Sequence, residues 1–295
     1  MKGIILAGGA GSRMYPTSLC YSKQLVMIYD KPMIYYPLST LMLAGIREIL
    51  IISNAETIPF YQKLFRDGSH LGLKISYKLQ PAPKGIAEAF ILGRDFIGDE
   101  DVTLILGDNI FYGNLDFLRE ALRSNRGATV FGYYVNDPQR YGVVEFDQMR
   151  KAVSLEEKPA MPKSNYAVVG LYVYNNEVAQ IACKLEPSTR GELEITDLNR
   201  VYLERGDLDV QIMGRGMAWL DTGTPQALLE VSQFIGAIEK RQGLKVGCVE
   251  EVAYMMGFVG KEGFNRLIES LPRCDYRSYL ETILASPELV SQYNR

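Results

Sequence analysis

Short apolar runs recur through the first hundred residues, and each is followed by a helical pattern. Lys2–Ala7, Ile49–Ser53, Ile75–Leu79 and Val102–Leu106 are the runs. They are too short for helices and predict buried strands. Between them Met33–Ala44, Ile58–Phe65 and Ile86–Phe96 carry helical spacing. Strand–helix alternation predicts a mainly parallel, Rossmann-like α/β sheet flanked by helices. Thr129–Val135, Gly142–Phe146, Val153–Glu157 and Ala167–Tyr174 follow with little helix between them. They predict a mixed or antiparallel insertion. Val210–Met213 and Ala218–Leu220 are expected to return to the main sheet. A helix is expected over Pro225–Lys240, and further helices over Lys261–Leu271 and Tyr276–Leu284. This divides the chain into a body, 1–240, and a helical C-terminal appendage, 241–295.

Several function classes are disfavoured by composition. Across 295 residues, 32 basic and 35 acidic side chains leave a net charge of −3. There is no basic field for nucleic acid. No stretch reaches the roughly 18 uninterrupted apolar residues of a membrane span, and Gly3–Ala7 is too short for the apolar part of a signal peptide. A cytoplasmic protein is expected. Cys20, Cys183, Cys248 and Cys274 have no metal-ligand spacing and predict free thiols. The single histidine, His70, lies in a loop-like DGSHLG and predicts a surface residue without catalytic work.

The residues that could carry chemistry cluster at strand ends. Gly8-Gly9-Ala10-Gly11-Ser12-Arg13 follows the first apolar run. Glycines let backbone N–H groups approach phosphate oxygens. The loop is neither a Walker loop nor a dinucleotide fingerprint, because no Gly-Lys-Ser/Thr follows and the third glycine falls at Met14. Arg13 and Lys23 add cations just downstream. Asp108 ends Leu104-Ile105-Leu106-Gly107-Asp108, at the edge where open α/β sheets bind ligands. Asp221 ends Ala218-Trp219-Leu220-Asp221. Each aspartate could also be a helix cap or turn residue. Together they could hold one hard cation, since magnesium takes a few carboxylates plus phosphate oxygens. Glu156-Glu157-Lys158 could meet a sugar phosphate or be a solvated charge cluster. Arg190 could fork onto a phosphate.

These segments together resemble the sugar-1-phosphate nucleotidylyltransferases. LAGGAGSRMYP, SKQL, QPAPKGIAEA, LGDNIFYG, YGVVEF, LEEKP, VVGLY, RGELEITD and GRGMAWLDTGT carry the resemblance, from Lys2 to about Asp275. It implies transfer of a thymidylyl group from dTTP to glucose 1-phosphate, with Mg²⁺ as cofactor. A UTP-dependent uridylyl transfer and a non-catalytic nucleotide-sugar sensor are the alternatives. Mapped by motif, the resemblance implies nucleotide contacts at Leu6, Gly8, Gly9, Gly11, Ser12, Arg13, Lys23, Gln80, Gly85 and Asp108. It implies sugar-phosphate contacts at Asn109, Gly142, Glu157, Lys158, Tyr172 and Arg190. Asp108 and Asp221 would bind the metal, and Arg13, Lys23, Asp108 and Asp221 would form the catalytic set. It further implies a homotetramer with a regulatory site near Arg215, Lys245 and Glu251. Met14, Met27 and Glu88 depart from the family pattern, which has leucine, proline and commonly glutamine there.

A charge count agrees with this chemistry. A triphosphate brings about −4 and a sugar phosphate about −2. Arg13, Lys23, Lys158, Arg190 and a magnesium ion would offset most of that load even against Asp108 and Asp221. A phosphate dianion is itself a nucleophile, so no general base is required.

Overall fold

The computed structural model describes residues 1–9, 11–286 and 289. Ala10, inside the glycine loop, and the end of the 241–295 segment lie outside the described residues. In chain order the first half runs β1 (Lys2–Leu6), β2 (Met27–Ile28), β3 (Lys31–Pro32), α1 (Tyr35–Leu43), β4 (Glu48–Ser53), α2 (Ile58–Phe65), β5 (Lys74–Leu79), α3 (Glu88–Leu92), α4 (Arg94–Ile97) and β6 (Val102–Leu106). The middle adds β7 (Asn109–Tyr112), α5 (Asp116–Ser124), β8 (Ala128–Tyr134), β9 (Gly142–Phe146), β10 (Ala152–Glu157), β11 (Tyr166–Tyr174), α6 (Val178–Ala182) and α7 (Ile195–Arg205). The chain closes with β12 (Leu208–Ile212), β13 (Ala218–Asp221), α8 (Pro225–Gln242), α9 (Val249–Met255), α10 (Lys261–Ser270) and α11 (Asp275–Ala285).

The four apolar runs pair in parallel, in the order β5-β4-β1-β6. Their side chains alternate between two cores. Ile5, Ile51 and Ile105 face one, and Ile4, Leu6, Leu50, Ile52 and Leu104 face the other. Both faces are covered on β1, β4 and β6, which is why these three show no polar alternation; β5, expected to be buried, is instead the half-exposed edge strand, and Ile75-Ser76-Tyr77-Lys78-Leu79 alternates accordingly. The chain runs outward from β1 through β4 to β5, then returns to β1's other edge as β6. Register places Leu6 beside Leu106, so the loops after β1 and β6 emerge side by side. That reversal point is where doubly wound sheets open a crevice.

The expected insertion belongs to the same nine-stranded sheet. β11 lies antiparallel to β6, β8 and β9, and β12 runs parallel to β8. Three expectations need correction. Ala218–Leu220 does not rejoin the main sheet. After the Gly214–Gly216 turn, β13 pairs antiparallel with β7 as a separate two-stranded ribbon, Asp221 opposite Asn109. The helix expected over Ile86–Phe96 is two short helices, breaking at Gly93, where an added Cβ would sit 3.0 Å from Ile4 Cδ1 and from the Ala89 carbonyl. His70 is half-buried, not at the surface.

α8 begins with Thr224, whose Oγ1 accepts from the Ala227 N–H at 3.2 Å, and with Pro225 in its first turn. It ends at Gly243, φ 73°. Both ends follow helix-capping rules. Beyond it, α9 joins the main core through Val249, Val252 and Ala253, while α10 and α11 form a small core of their own with Phe264, Ile268, Leu280 and Ile283. All four cysteines are free, with Cys248 buried. Among the described residues no helix is long and apolar enough to cross a membrane.

The loop after α9 is keyed to the body at Gly72. Gly72 has φ 69°, and an added Cβ would lie 2.3 Å from the Phe258 carbonyl oxygen. Gly72→Ala should therefore cost about 1–3 kcal/mol in urea unfolding. Gly45→Ala, at φ 86° with open space around it, should cost about 1 kcal/mol. Equal losses would show that the Phe258 contact is not felt.

Candidate active site

The crevice at the reversal point is a cleft of about 620 Å³, within the range of small-molecule sites. Leu6 ends β1 at its floor, and Gly8, Gly9, Ser12 and Arg13 line it from the loop beyond. Gly9 and Gly11 have φ 118° and 56°, conformations that favour glycine. Gly11 does not line the cleft. It takes the turn that brings Ser12–Met14 around, with Lys23 packed behind it.

The cleft floor is built where β6 meets the β7–β13 ribbon. Asp108 projects from the turn between β6 and β7, and Asp221 ends β13, so neither is a helix cap. Buried Lys23 reaches Asp108 Oδ2 from behind at 2.5 Å. The Asn109 amide donates to Asp108 Oδ1 at 2.9 Å, and the Thr222 hydroxyl donates to the Asp108 carbonyl at 2.8 Å. Asn109 Oδ1 accepts from the Trp219 indole at 2.6 Å and the Gly170 N–H at 3.1 Å. Asp221 Oδ2 accepts from Arg140 Nη2 at 3.2 Å.

One end of the cleft carries Gln80 and Gly85, the other a band of charges. Gly85 has φ 101°, and an added Cβ would lie 2.3 Å from the Leu193 carbonyl oxygen. It is needed for that close approach as well as for space in the cleft. At the charged end, Glu157 accepts from the Thr196 hydroxyl at 2.6 Å and pairs with Lys158 at 3.3 Å. Lys158 holds φ 44°, which is strained for a side-chain-bearing residue. Arg190 forks onto Glu194, both contacts at 2.8 Å, and also meets Glu157 and Glu192. Burial opposes the charge on Arg190, but these carboxylates outweigh it and raise its pKa. Gly142 and Tyr172 complete this end.

Proton chemistry is poorly served here. Burial, then the charges of Glu157 and Asp108, raise the Tyr172 phenol. Burial and Asp221 push Tyr141 up to about 12. No histidine lines the cleft, and His70 sits elsewhere. What the site offers is backbone donors, cations and carboxylates, Asp108 and Asp221 among them.

A family model described as nucleotidyl transferase matches residues 2–237. The chain belongs to this family. It is 55% identical over 284 residues to a glucose-1-phosphate thymidylyltransferase of Xanthomonas campestris pv. campestris, covering 96% of each chain. It is 52% identical over 286 residues to the enzyme of that name from Neisseria meningitidis serogroup A, covering 96% of this chain and 99% of that one. A Bacillus anthracis protein proposed to be a glucose-1-phosphate thymidylyltransferase, solved in complex with sucrose, superposes with a TM-score of 0.74 at 40% identity. That match covers 79% of this chain and 94% of the other.

Sequence reasoning missed Arg140, Trp219, Thr196 and Glu194. Arg140 follows Asp137-Pro138 in a turn and pairs locally with Asp137 at 2.8 Å, while its second partner, Asp221, lies 81 residues away. Trp219 had a signal, since an indole in an apolar run needs a hydrogen-bond acceptor when buried.

The three residues of the expected regulatory site separate. Lys245 and Glu251 line a second cavity of about 500 Å³ between α1, β7, α8 and α9. Arg215 lines neither cavity. Lys245 bridges Asp30 and Glu239, and Glu251 accepts from the Tyr279 hydroxyl at 2.6 Å. Burial pushes the Glu251 carboxyl up to about 7, the Tyr279 hydrogen bond opposing and the Glu239 charge adding. A carboxyl raised in the folded state is neutral there over a range where the unfolded chain has already ionised. Its contribution is full below its ordinary value of 4.5 and is lost as pH rises to about 7. Glu251→Gln should flatten the fall in stability between those values by on the order of 2 kcal/mol, read from urea midpoints. A slope matching the parent would disprove the assignment.

Proposed function

We propose that this chain transfers a thymidylyl group from dTTP to glucose 1-phosphate, releasing dTDP-glucose and pyrophosphate. The observation that carries this reading is the convergence of the glycine loop, Asp108 and Asp221 at one crevice in a chain about half identical to enzymes of that name. The backbone N–H groups of Gly8, Gly9 and Ser12 and the Arg13 guanidinium cradle the triphosphate, with Leu6 beneath and Gly11 shaping the turn. Gln80 and Gly85 meet the base. Lys158 and Arg190 take the sugar phosphate, while Asn109, Gly142, Glu157 and Tyr172 position the sugar. Arg190 must exchange part of its fork on Glu194 for phosphate oxygens. The sugar phosphate oxygen attacks the α-phosphorus, the bond to the β-phosphate oxygen breaks, and pyrophosphate carries the electron pair away. Positioning and charge neutralisation do most of the work in such transfers.

The donor set fits a hard divalent ion. Asp108 and Asp221 lie on one wall, and each already attracts a cation, Lys23 and Arg140 respectively. Among the described residues no group of three or more His, Cys, Asp or Glu could hold a metal alone, so phosphate oxygens must complete the shell, as magnesium prefers. A magnesium ion there would supply charge stabilisation at the reacting phosphate. Lys23 holds Asp108 in place from behind.

Turnover with a panel of nucleotides tests the reading. With glucose 1-phosphate, dTTP should exceed UTP, the missing methyl accounting for about 1–3 kcal/mol, and ATP and GTP should be very poor. Asp108→Asn and Asp221→Asn should each abolish pyrophosphate release without unfolding the chain. A UTP value above that of dTTP would make this a uridylyltransferase, and near-parental activity in either variant at limiting magnesium would refute the metal site.

The reading extends to a cytoplasmic homotetramer in which residues 241–295 serve assembly and regulation through Lys245 and Glu251, without Arg215. The docking of α9 onto the body beside the second cavity supports it. Sedimentation at the mass of a monomer would remove that part.

A further inference from the structure

The base end of the cleft contains an arrangement that the reaction itself does not require. Glu88 opens α3, and its Oε2 accepts from Gln80 Nε2 at 2.8 Å and from the Lys84 N–H at 3.4 Å. A carboxylate accepts hydrogen bonds and donates none. It therefore decides which end of the Gln80 amide faces it. The NH₂ group turns to Glu88, and Oε1 turns toward the glycine loop, where a Cβ on Gly8 would lie 2.5 Å from it. Gln80 is only 5% exposed. Yet among the described residues no group donates to its Oε1, and none accepts from the Gly85 N–H on the same cleft. Among the described residues the only fully buried side-chain nitrogen or oxygen without a partner is His70 Nδ1, so Gln80 Oε1 opens onto the cleft it lines. An acceptor and a donor are thus left for whatever enters.

We infer that Glu88 is a positioning residue for nucleobase selection: it holds the Gln80 amide so that the cleft offers an acceptor to the N3–H of a uracil-type ring and refuses cytosine. The inference rests on the nucleotide reading of the cleft given above. Uracil and thymine carry a hydrogen on N3 beside carbonyl O4. Cytosine carries a bare N3 beside an amino group, the opposite order. A fixed Oε1 facing cytosine N3 sets two acceptors against each other and leaves both unsatisfied. An amide free to turn over would present its NH₂ instead and accept cytosine. A glutamine at position 88 would permit that turn, because its own amide can face Gln80 with either end. A glutamate does not.

The test compares dUTP with dCTP, which differ only at positions 3 and 4 of the ring, in the intact chain with glucose 1-phosphate. The ratio of their kcat/KM values is the readout. In the parent, dUTP should be favoured by about a hundredfold or more. In Glu88→Gln the ratio should fall by about tenfold, with the loss for dTTP falling on KM rather than kcat. In Gln80→Ala the ratio should collapse. A collapsed ratio in Gln80→Ala with a parental ratio in Glu88→Gln overturns the role of Glu88 and leaves the base reading intact. Parental ratios in both variants overturn the base reading itself. An equal loss with both nucleotides in Glu88→Gln reduces Glu88 to support of the fold, and the proposal falls.

Discussion

The cleft depends on one joint, where the chain leaves the main sheet after Leu106 and starts the β7–β13 ribbon. Asn109 makes that joint rigid. Its carbonyl oxygen holds the Trp219 indole and the Gly170 N–H, and its amide holds Asp108. One buried side chain thus ties β6, β11 and β13 together. Gly170 is necessary to it, since an added Cβ would lie 2.7 Å from Asn109 Oδ1. A buried polar group of this kind is costly unless fully paired, and fully paired it selects a single arrangement. The relative placement of Asp108 and Asp221 then follows from a backbone ladder, Asp221 opposite Asn109, and not from flexible side chains.

Fixed carboxylates need counter-charge before substrate arrives. Lys23 provides it for Asp108 from a buried position, and Arg140 provides it for Asp221 from a half-exposed one. The two contacts differ in kind. A buried ammonium committed to one carboxylate costs several kcal/mol to uncover, so Lys23 stays where it is. An exposed guanidinium pair is worth about 1 kcal/mol or less, so Arg140 can yield its carboxylate cheaply. Arg190, held by Glu194, Glu157 and Glu192, is likewise half-exposed. The site keeps its fixed charges inside and its exchangeable ones at the rim.

The parallel half of the fold was legible because burial on both faces leaves uninterrupted apolar runs, and the loops carrying Gly8–Arg13 and Asp108 follow from those runs. The β7–β13 ribbon was not legible. No strand was expected over Asn109–Tyr112, and its partner lies more than a hundred residues away, beyond any local periodicity. Arg140 escaped for the same reason. Gly85 was singled out, but the close approach of Leu193 that demands it is tertiary. α9 was absorbed into an expected appendage, because Val249, Val252 and Ala253 reveal their burial only once α1 is packed against them. Family resemblance supplied candidate residues where periodicity could not, yet it said nothing of the contacts that hold them.

The two ends of the cleft answer to different physics. At the base end Gln80 is almost wholly buried, Gly85 is locked against Leu193, and Glu88 fixes the amide. Nothing there can shift far, and hydrogen-bond mismatches in such surroundings are penalised in full. At the charged end Lys158 and Arg190 are more than two-fifths exposed and share one carboxylate partner, Glu157. Charges in that setting attract any phosphate and distinguish poorly between sugars. Under the proposed reading, sugar discrimination falls to the less mobile groups: Asn109, pinned by Trp219 and Gly170, and Glu157, pinned by Thr196 at the charged end. The rigidity that places Asp108 and Asp221 thus also fixes the groups available to meet sugar hydroxyls.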